Sequence, residues 1–261
     1  MATAPLDRFR LDGKTVAITG ASSGFGHHFA GVLASAGARV VLGARRVDKI
    51  AARVAELRGA GAQALGTALD VLDAASLARF LDTAWDEFGS LDVLVNNAGI
   101  ESGAKTYAMI DEADWDAVLD TNLKSAWLGS KLYTERVAAR GQGGGNIVNI
   151  ASITAFRTIK GQFPYAVSKA ALVKATEVMA LEGAKFGIRV NALAPGYILT
   201  DVSRILLESP KSDAFEKRIP QRRYGRFEDL DGPLLLLASD ASTWMTGSTV
   251  VVDGGHVCAE L

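Results

Sequence analysis

The sequence predicts an α/β fold: one domain built on a parallel sheet with helices on both faces. Two observations carry this. Short β-branched or apolar runs alternate with longer Ala-rich segments of helical period, and strand and helix taking turns means parallel strands joined by covering helices. Runs such as 93–95 are apolar at every position, as expected of strands covered on both sides. At 261 residues the chain can bury a full core in one large domain, and no linker, repeat or low-complexity tract splits it.

The strand candidates, in order, are 15–19, 40–42, 64–69, 93–95 and 146–150, with further strands at 189–192 and 249–252. A glycine run and the helical segment 27–33 follow the first. The run 141–145 is also Gly-rich, but it follows a helix and precedes a strand, the wrong order for a phosphate-cradling loop, so it reads as a helix stop and turn. Pro164 in first position opens a helix that reaches 186. Leu234 to Leu237 read as a buried helix face, and Trp85, Trp115, Trp127 and Trp244, within or beside helices, as packing.

Charge and composition exclude several classes. Lys and Arg nearly cancel Asp and Glu, for a net charge of -1, so no global field draws the chain to nucleic acid or anionic lipid. There is no signal-like run and no segment of membrane-spanning length, which points to the cytoplasm. Cys258 is the single cysteine, so no internal disulfide forms. His27 and His28 are adjacent rather than spaced to share a metal, no Cys/His cluster exists, and Ser22, Ser23 and Ser152 lack the Gly-x-Ser-x-Gly elbow. The expectation is therefore no metal and no acyl-transfer hydrolysis.

Two constellations carry chemistry. After the first strand comes Thr19-Gly20-Ala21-Ser22-Ser23-Gly24-Phe25-Gly26, leading into a helix. Strand, glycine turn and helix N-terminus in that order aim N–H groups and the positive dipole end at an anion. The spacing Gly-x3-Gly-x-Gly is not the familiar Gly-x-Gly-x-x-Gly fingerprint, and glycines alone can mark a tight turn and no more. The second constellation is Tyr165-Ala166-Val167-Ser168-Lys169, a phenol and an ammonium one helical turn apart. A tyrosine near its ordinary value of about 10 is a poor proton carrier at neutral pH, and a close cation lowers it. Tyr-x-x-x-Lys is also what a half-buried aromatic and a solvated lysine look like. Ser152, just past a strand's carboxyl end, adds a hydroxyl where open α/β sheets bind ligands.

Together these residues resemble the short-chain dehydrogenase/reductase family, over nearly the whole chain: Thr19-Gly20-x-x-x-Gly24-x-Gly26, Asn96-Asn97-Ala98-Gly99, Asn122, Ser152, Tyr165-x-x-x-Lys169 and Pro195-Gly196. The resemblance implies a seven-stranded Rossmann-like, doubly wound sheet and hydride transfer between a nicotinamide and a ketone or secondary alcohol carbon. It implies that Tyr165 exchanges the proton with the substrate oxygen and that Ser152 hydrogen-bonds that oxygen. Lys169 would depress the Tyr165 pKa and bond the nicotinamide ribose, and Asn122 would hold a relay water. The same resemblance puts Gly20, Ser22, Ser23, Gly24, Phe25, Gly26, Asp70, Val71, Asn97, Ala98, Gly99, Pro195, Gly196, Ile198 and Thr200 along the cofactor, with Asp70 at the adenine, Asn97 at the adenosine ribose and Thr200 at the carboxamide. Asn96 reads as a tie between strands.

Coenzyme choice is read at the end of the second strand. Ala44 stands where the family's NAD-selecting aspartate would be, and Arg45 and Arg46 follow, guanidinium groups suited to a 2′-phosphate; NADP is expected, with NAD possible. The family's other NADP signature, a basic residue before the second loop glycine, is replaced by Ser23. The segment 200–225 reads as a substrate lid, with Ile205, Leu206, Leu207 and Phe215 as apolar anchors and Lys211, Lys217, Arg218, Arg222 and Arg223 as its cations. That mixture suits a free ketone, or a carrier-bound 3-oxoacyl chain as the second reading. A nucleotide-binding sensor without turnover is the alternative of another class. The apolar surface of helix 165–186, with the resemblance, implies a homotetramer.

Overall fold

The computed structural model describes residues 4–101, 103–199 and 216–259. Seven strands form one sheet in the order β3-β2-β1-β4-β5-β6-β7: β1 Thr15–Thr19, β2 Arg39–Ala44, β3 Ala64–Ala68, β4 Val93–Asn96, β5 Gly145–Ile150, β6 Ile188–Pro195 and β7 Thr249–Val252. Every neighbouring pair is parallel. The order reverses between β1 and β4, so the connections leaving these two strands turn to opposite sides and open a crevice at their carboxyl ends.

Strand alternation sorts the core into two layers. Val16, Ile18, Val40 and Leu42 face Phe29 and Leu33 of α1 (Gly24–Ser35), Ile50 and Val54 of α2 (Val47–Gly59), and Leu234 and Leu237 of a later helix. Ala17, Val41, Leu94 and Ile147 face the other way, toward Leu77 and Phe80 of α3 (Ala74–Phe88) and Tyr133 and Val137 of a second helix. The remaining helices are α4 (Glu112–Leu119), α5 (Ser125–Ala139), α6 (Phe163–Gly183) and α7 (Asp231–Ala238). α5 carries Tyr133, and α6 lies beside β6. α3 shows how the sequence sets its ends: Asp73 accepts hydrogen bonds from the N–H groups of Ala75 and Ser76, and Gly89, at φ 78°, closes it in the left-handed region.

The structure departs from the sequence reading at two strands, at α6 and at two tryptophans. β2 and β6 are longer than expected, because Gly43 and Ala44 go on pairing with Thr67 and Ala68 and β6 reaches Pro195. α6 begins at Phe163, one residue before Pro164, and yields to a 3-10 turn at Ala184–Phe186. Trp244 is not packing within this chain but fully exposed, and Trp127 is 49% exposed. Trp85 is buried and donates to Gln142 Oε1 at 2.8 Å.

Candidate active site

The crevice begins where β1 ends. Gly20 (φ 68°) has no room for a side chain: a Cβ would lie 2.8 Å from Ala98 Cα. At Gly26 it would lie 2.5 Å from Asn97 Nδ2 and 2.7 Å from the Gly20 carbonyl oxygen. Gly24 sits at φ 56°, a conformation that suits glycine. Thr19 Oγ1 accepts from the N–H groups of Asn97 and Ala98, both at 3.0 Å, and Asn97 Nδ2 donates to the Thr19 and Gly20 carbonyls at 2.9 and 3.2 Å. The Asn97 amide hydrogens thus hold the loop to the start of β4's exit.

Ser23, the N-cap of α1, makes no side-chain cap bond, which leaves the first-turn N–H groups of this twelve-residue helix to an anion. The Ser23 hydroxyl accepts from Arg46 NH2 at 2.6 Å instead, and Ser22 Oγ accepts from Arg46 Nε and NH2 at 3.2 and 2.9 Å. Arg45 is exposed next to it. Asp70 and Val71 follow β3, with Asp70 Oδ1 accepting from the Leu72 N–H at 3.0 Å. Two glycines with no space for a side chain, free helix N–H groups and a guanidinium over two hydroxyls together fit the phosphates of a dinucleotide.

Beyond the crevice lie the residues of the second constellation. β5 delivers Ser152 just past its carboxyl end, where Oγ accepts from the Thr154 N–H at 3.2 Å. α6 then brings Tyr165 and Lys169 alongside. Lys169 is buried, donates to the Ile150 carbonyl at 2.7 Å, and lies 5.6 Å from the centroid of the Tyr165 ring. Burial pushes the Tyr165 phenol up to about 12; a hydrogen bond from Ser152 pulls it down, and Glu101 adds to the rise. Burial alone brings Lys169 down to about 8. The expected depression of the Tyr165 pKa by Lys169 is therefore corrected: the ammonium is directed at a carbonyl and the ring face, and desolvation of the phenolate dominates.

Asn122 sits in a π turn, Asp120–Lys124, between α4 and α5. Its Oδ1 accepts from the Ile100 N–H at 2.8 Å, while Nδ2 donates to the Ile100 carbonyl at 2.9 Å and to Ser168 Oγ at 3.2 Å. Both amide hydrogens are used within the protein. At the end of β6, Pro195 is buried and the Gly196 N–H donates to the Val252 carbonyl at 2.8 Å. Ile198 is 5% exposed and bridges to Gly225. Thr200, and with it most of the expected lid, lies outside the described residues.

Sequence reasoning placed Asn96 as a tie, and its Nδ2 donates to Asn149 Oδ1 at 2.9 Å. It missed the continuation: Asn149 Nδ2 donates to Thr176 Oγ1 at 2.9 Å, joining β4, β5 and α6 beneath Ser152 and Lys169. An asparagine inside an apolar strand was the available signal. Arg157 was also missed; it donates to the carbonyls of His256 and Ala259 at 2.9 and 3.2 Å.

This sheet, glycine loop and Ser-Tyr-Lys grouping place the chain in the short-chain dehydrogenase/reductase family, a class of NAD(P)-dependent oxidoreductases acting on CH–OH groups. The model of the family described as enoyl-(acyl carrier protein) reductase matches residues 20–256. The chain is 37% identical to dehydrogenase/reductase SDR family member 4 of Bos taurus, over 95% of this chain and 88% of that protein. It is 36% identical to D-threitol dehydrogenase of Mycolicibacterium smegmatis, over 95% and 94%. A gluconate 5-dehydrogenase from Burkholderia cenocepacia, solved in complex with NADP and tartrate, superposes with a TM-score of 0.92 at 35% identity, covering 98% of this chain and 100% of that one.

Proposed function

We propose that the chain, acting as one domain, is an NADP-preferring dehydrogenase/reductase of secondary alcohols and ketones in which Tyr165 carries the proton. The observation that bears most weight is the meeting of Ser152, Tyr165 and buried Lys169 at the carboxyl end of β5. NADP, when bound, supplies or accepts the hydride. Tyr165 donates its hydroxyl proton to the carbonyl oxygen during reduction and takes it back during oxidation. Ser152 donates a hydrogen bond to the same oxygen and fixes its distance from the phenol. Lys169 holds positive charge beside the phenol, and its ammonium is the group that would meet the nicotinamide ribose.

The coenzyme preference is supported by Arg46 lying over Ser22 and Ser23, with exposed Arg45 beside it and Ala44 offering no carboxylate to repel a 2′-phosphate. Among the described residues no helix is long and apolar enough to cross a membrane, in keeping with a cytoplasmic enzyme. Exposed Val178 and Leu181 of α6 and Trp127 of α5 support a homotetramer. A carrier-bound 3-oxoacyl substrate is the second reading, favoured by exposed Lys217 and Arg222 in the described end of the lid. The test is a panel of ketones, secondary alcohols, sugars and 3-oxoacyl thioesters, each followed by nicotinamide absorbance with NADPH or NADP+ and with NADH or NAD+. Turnover of alcohols or ketones with the phosphorylated coenzyme is expected. No turnover of any member, with NADPH binding intact, would favour a sensor.

A further inference from the structure

One wall of the site is the chain that leaves β4. It is held at four places. At Gly99 a Cβ would lie 3.3 Å from Asn122 Oδ1 and 3.7 Å from Lys169 Nζ, so the backbone passes directly beside the lysine. At Ile100 both backbone groups are clasped by the Asn122 amide. Further on, Lys105 bridges to Gln162, and the Tyr107 ring meets Phe163, two residues before Tyr165, at 6.2 Å between centroids. Glu101 falls between these anchors and is exposed. It makes no hydrogen bond or ion pair among the described residues, whereas Lys105 is paired with Asp114. Its charge acts on Tyr165 and also on Tyr197, which follows β6 on the other side of Ser152. A carboxylate with unused acceptor positions therefore stands at the mouth of the site.

Besides the buried Lys169, two arginines act at this end of the sheet. Arg157 commits NH1 to the His256 and Ala259 carbonyls, and Arg157 and Arg218 act on Tyr197 and His256. Tyr107 is 76% and Phe163 46% exposed, and aromatic faces of this kind pack against the C–H faces of a polyol.

We propose that Glu101 selects the charge of the substrate: it accepts hydrogen bonds from the hydroxyl groups of a neutral polyol and turns away substrates carrying a carboxylate near the reacting carbon. This deepens the oxidoreductase reading and rests on it. Two carboxylates within a few ångströms repel, whereas a hydroxyl donates to either oxygen. The structural likeness to a gluconate 5-dehydrogenase would then not extend to its substrate.

The experiment compares threitol with gluconate, using the wild type and Glu101→Gln. In steady state with NADP+, the wild type should favour threitol, and the variant should raise kcat/KM for gluconate relative to threitol by about tenfold or more. Calorimetric binding of both compounds to the NADP-loaded Tyr165→Phe protein, with and without Glu101→Gln, reads the same selection without turnover. An unchanged ratio in the variant, gluconate bound as well as threitol by the protein with Glu101 intact, or no threitol binding at all overturns the assignment of Glu101. Those outcomes leave the oxidoreductase reading standing wherever the broader panel turns over, so the two failures are separable.

Discussion

Lys169 lies over the Tyr165 ring, 5.6 Å from its centroid, and gives its hydrogen bond to the Ile150 carbonyl rather than to the phenol oxygen. The lysine is thereby fixed by the sheet, and the phenol hydroxyl is left for Ser152 and a substrate. Tyr165→Phe should keep the fold and most of the coenzyme affinity while lowering kcat by at least about a hundredfold. Near-normal steady-state turnover in that variant would remove Tyr165 from its role. Lys169→Ala should weaken both turnover and NADPH binding.

The two shifted groups give stability opposite slopes with pH. From about 8 up to its ordinary 10.5, Lys169 is deprotonated in the folded protein and still protonated in the unfolded chain, so its contribution grows as pH rises and is lost as pH falls through about 8. Tyr165 runs the other way: its contribution is full below 10.0 and lost as pH climbs through about 12. Denaturant unfolding of the cofactor-free protein and of Lys169→Met from about pH 7.5 to about pH 10 should show the wild type gaining on the variant, by at most about 1.4 kcal/mol per pH unit. A difference flat with pH would mean that Lys169 is not desolvated.

Coenzyme choice is tested by removing the guanidinium groups. Arg46→Ala should weaken NADPH binding by about tenfold or more and leave NADH nearly unchanged. Ala44→Asp with Arg45→Ala should move preference toward NADH by adding repulsion of the 2′-phosphate. Tighter binding of NADH than of NADPH by the unmodified protein, read by calorimetry, would make these arginines surface charges.

Assembly follows from the outer face of α6, where Leu181 is 80% and Val178 46% exposed. Light scattering should give the mass of a tetramer at micromolar concentration, and Leu181→Glu should shift it toward smaller species. A monomeric mass for the unmodified protein would contradict the proposed assembly.

The seven strands were legible because each is a short apolar or β-branched run, and strands such as β4, buried on both faces, keep that character throughout. The glycine loop and the Tyr165-Lys169 pair were legible for a similar reason: their chemistry depends on neighbours in sequence. What escaped was set across the sequence. The bonds from Asn97 to the carbonyls of Thr19 and Gly20, far away in sequence, are one example. The Tyr165 pKa could not be judged from a lysine one turn away, because burial, which dominates it, belongs to the packed molecule. Glu101 carries no motif, and its position is visible only once Ile100 is seen in the grip of Asn122.

The buried line from Asn96 through Asn149 to Thr176 also divides labour within α6. Apolar contacts let a helix roll or slip by small amounts at little cost, because many arrangements have nearly equal energy. Directional bonds between amides and a hydroxyl do not, since a shift of an ångström strands a buried donor. The inner face of α6 is pinned to the sheet independently of whatever covers its outer face. Remodelling the outward residues should therefore leave the phenol and ammonium where they are, so whatever the outer face of α6 meets can be altered without moving the groups on its inner side.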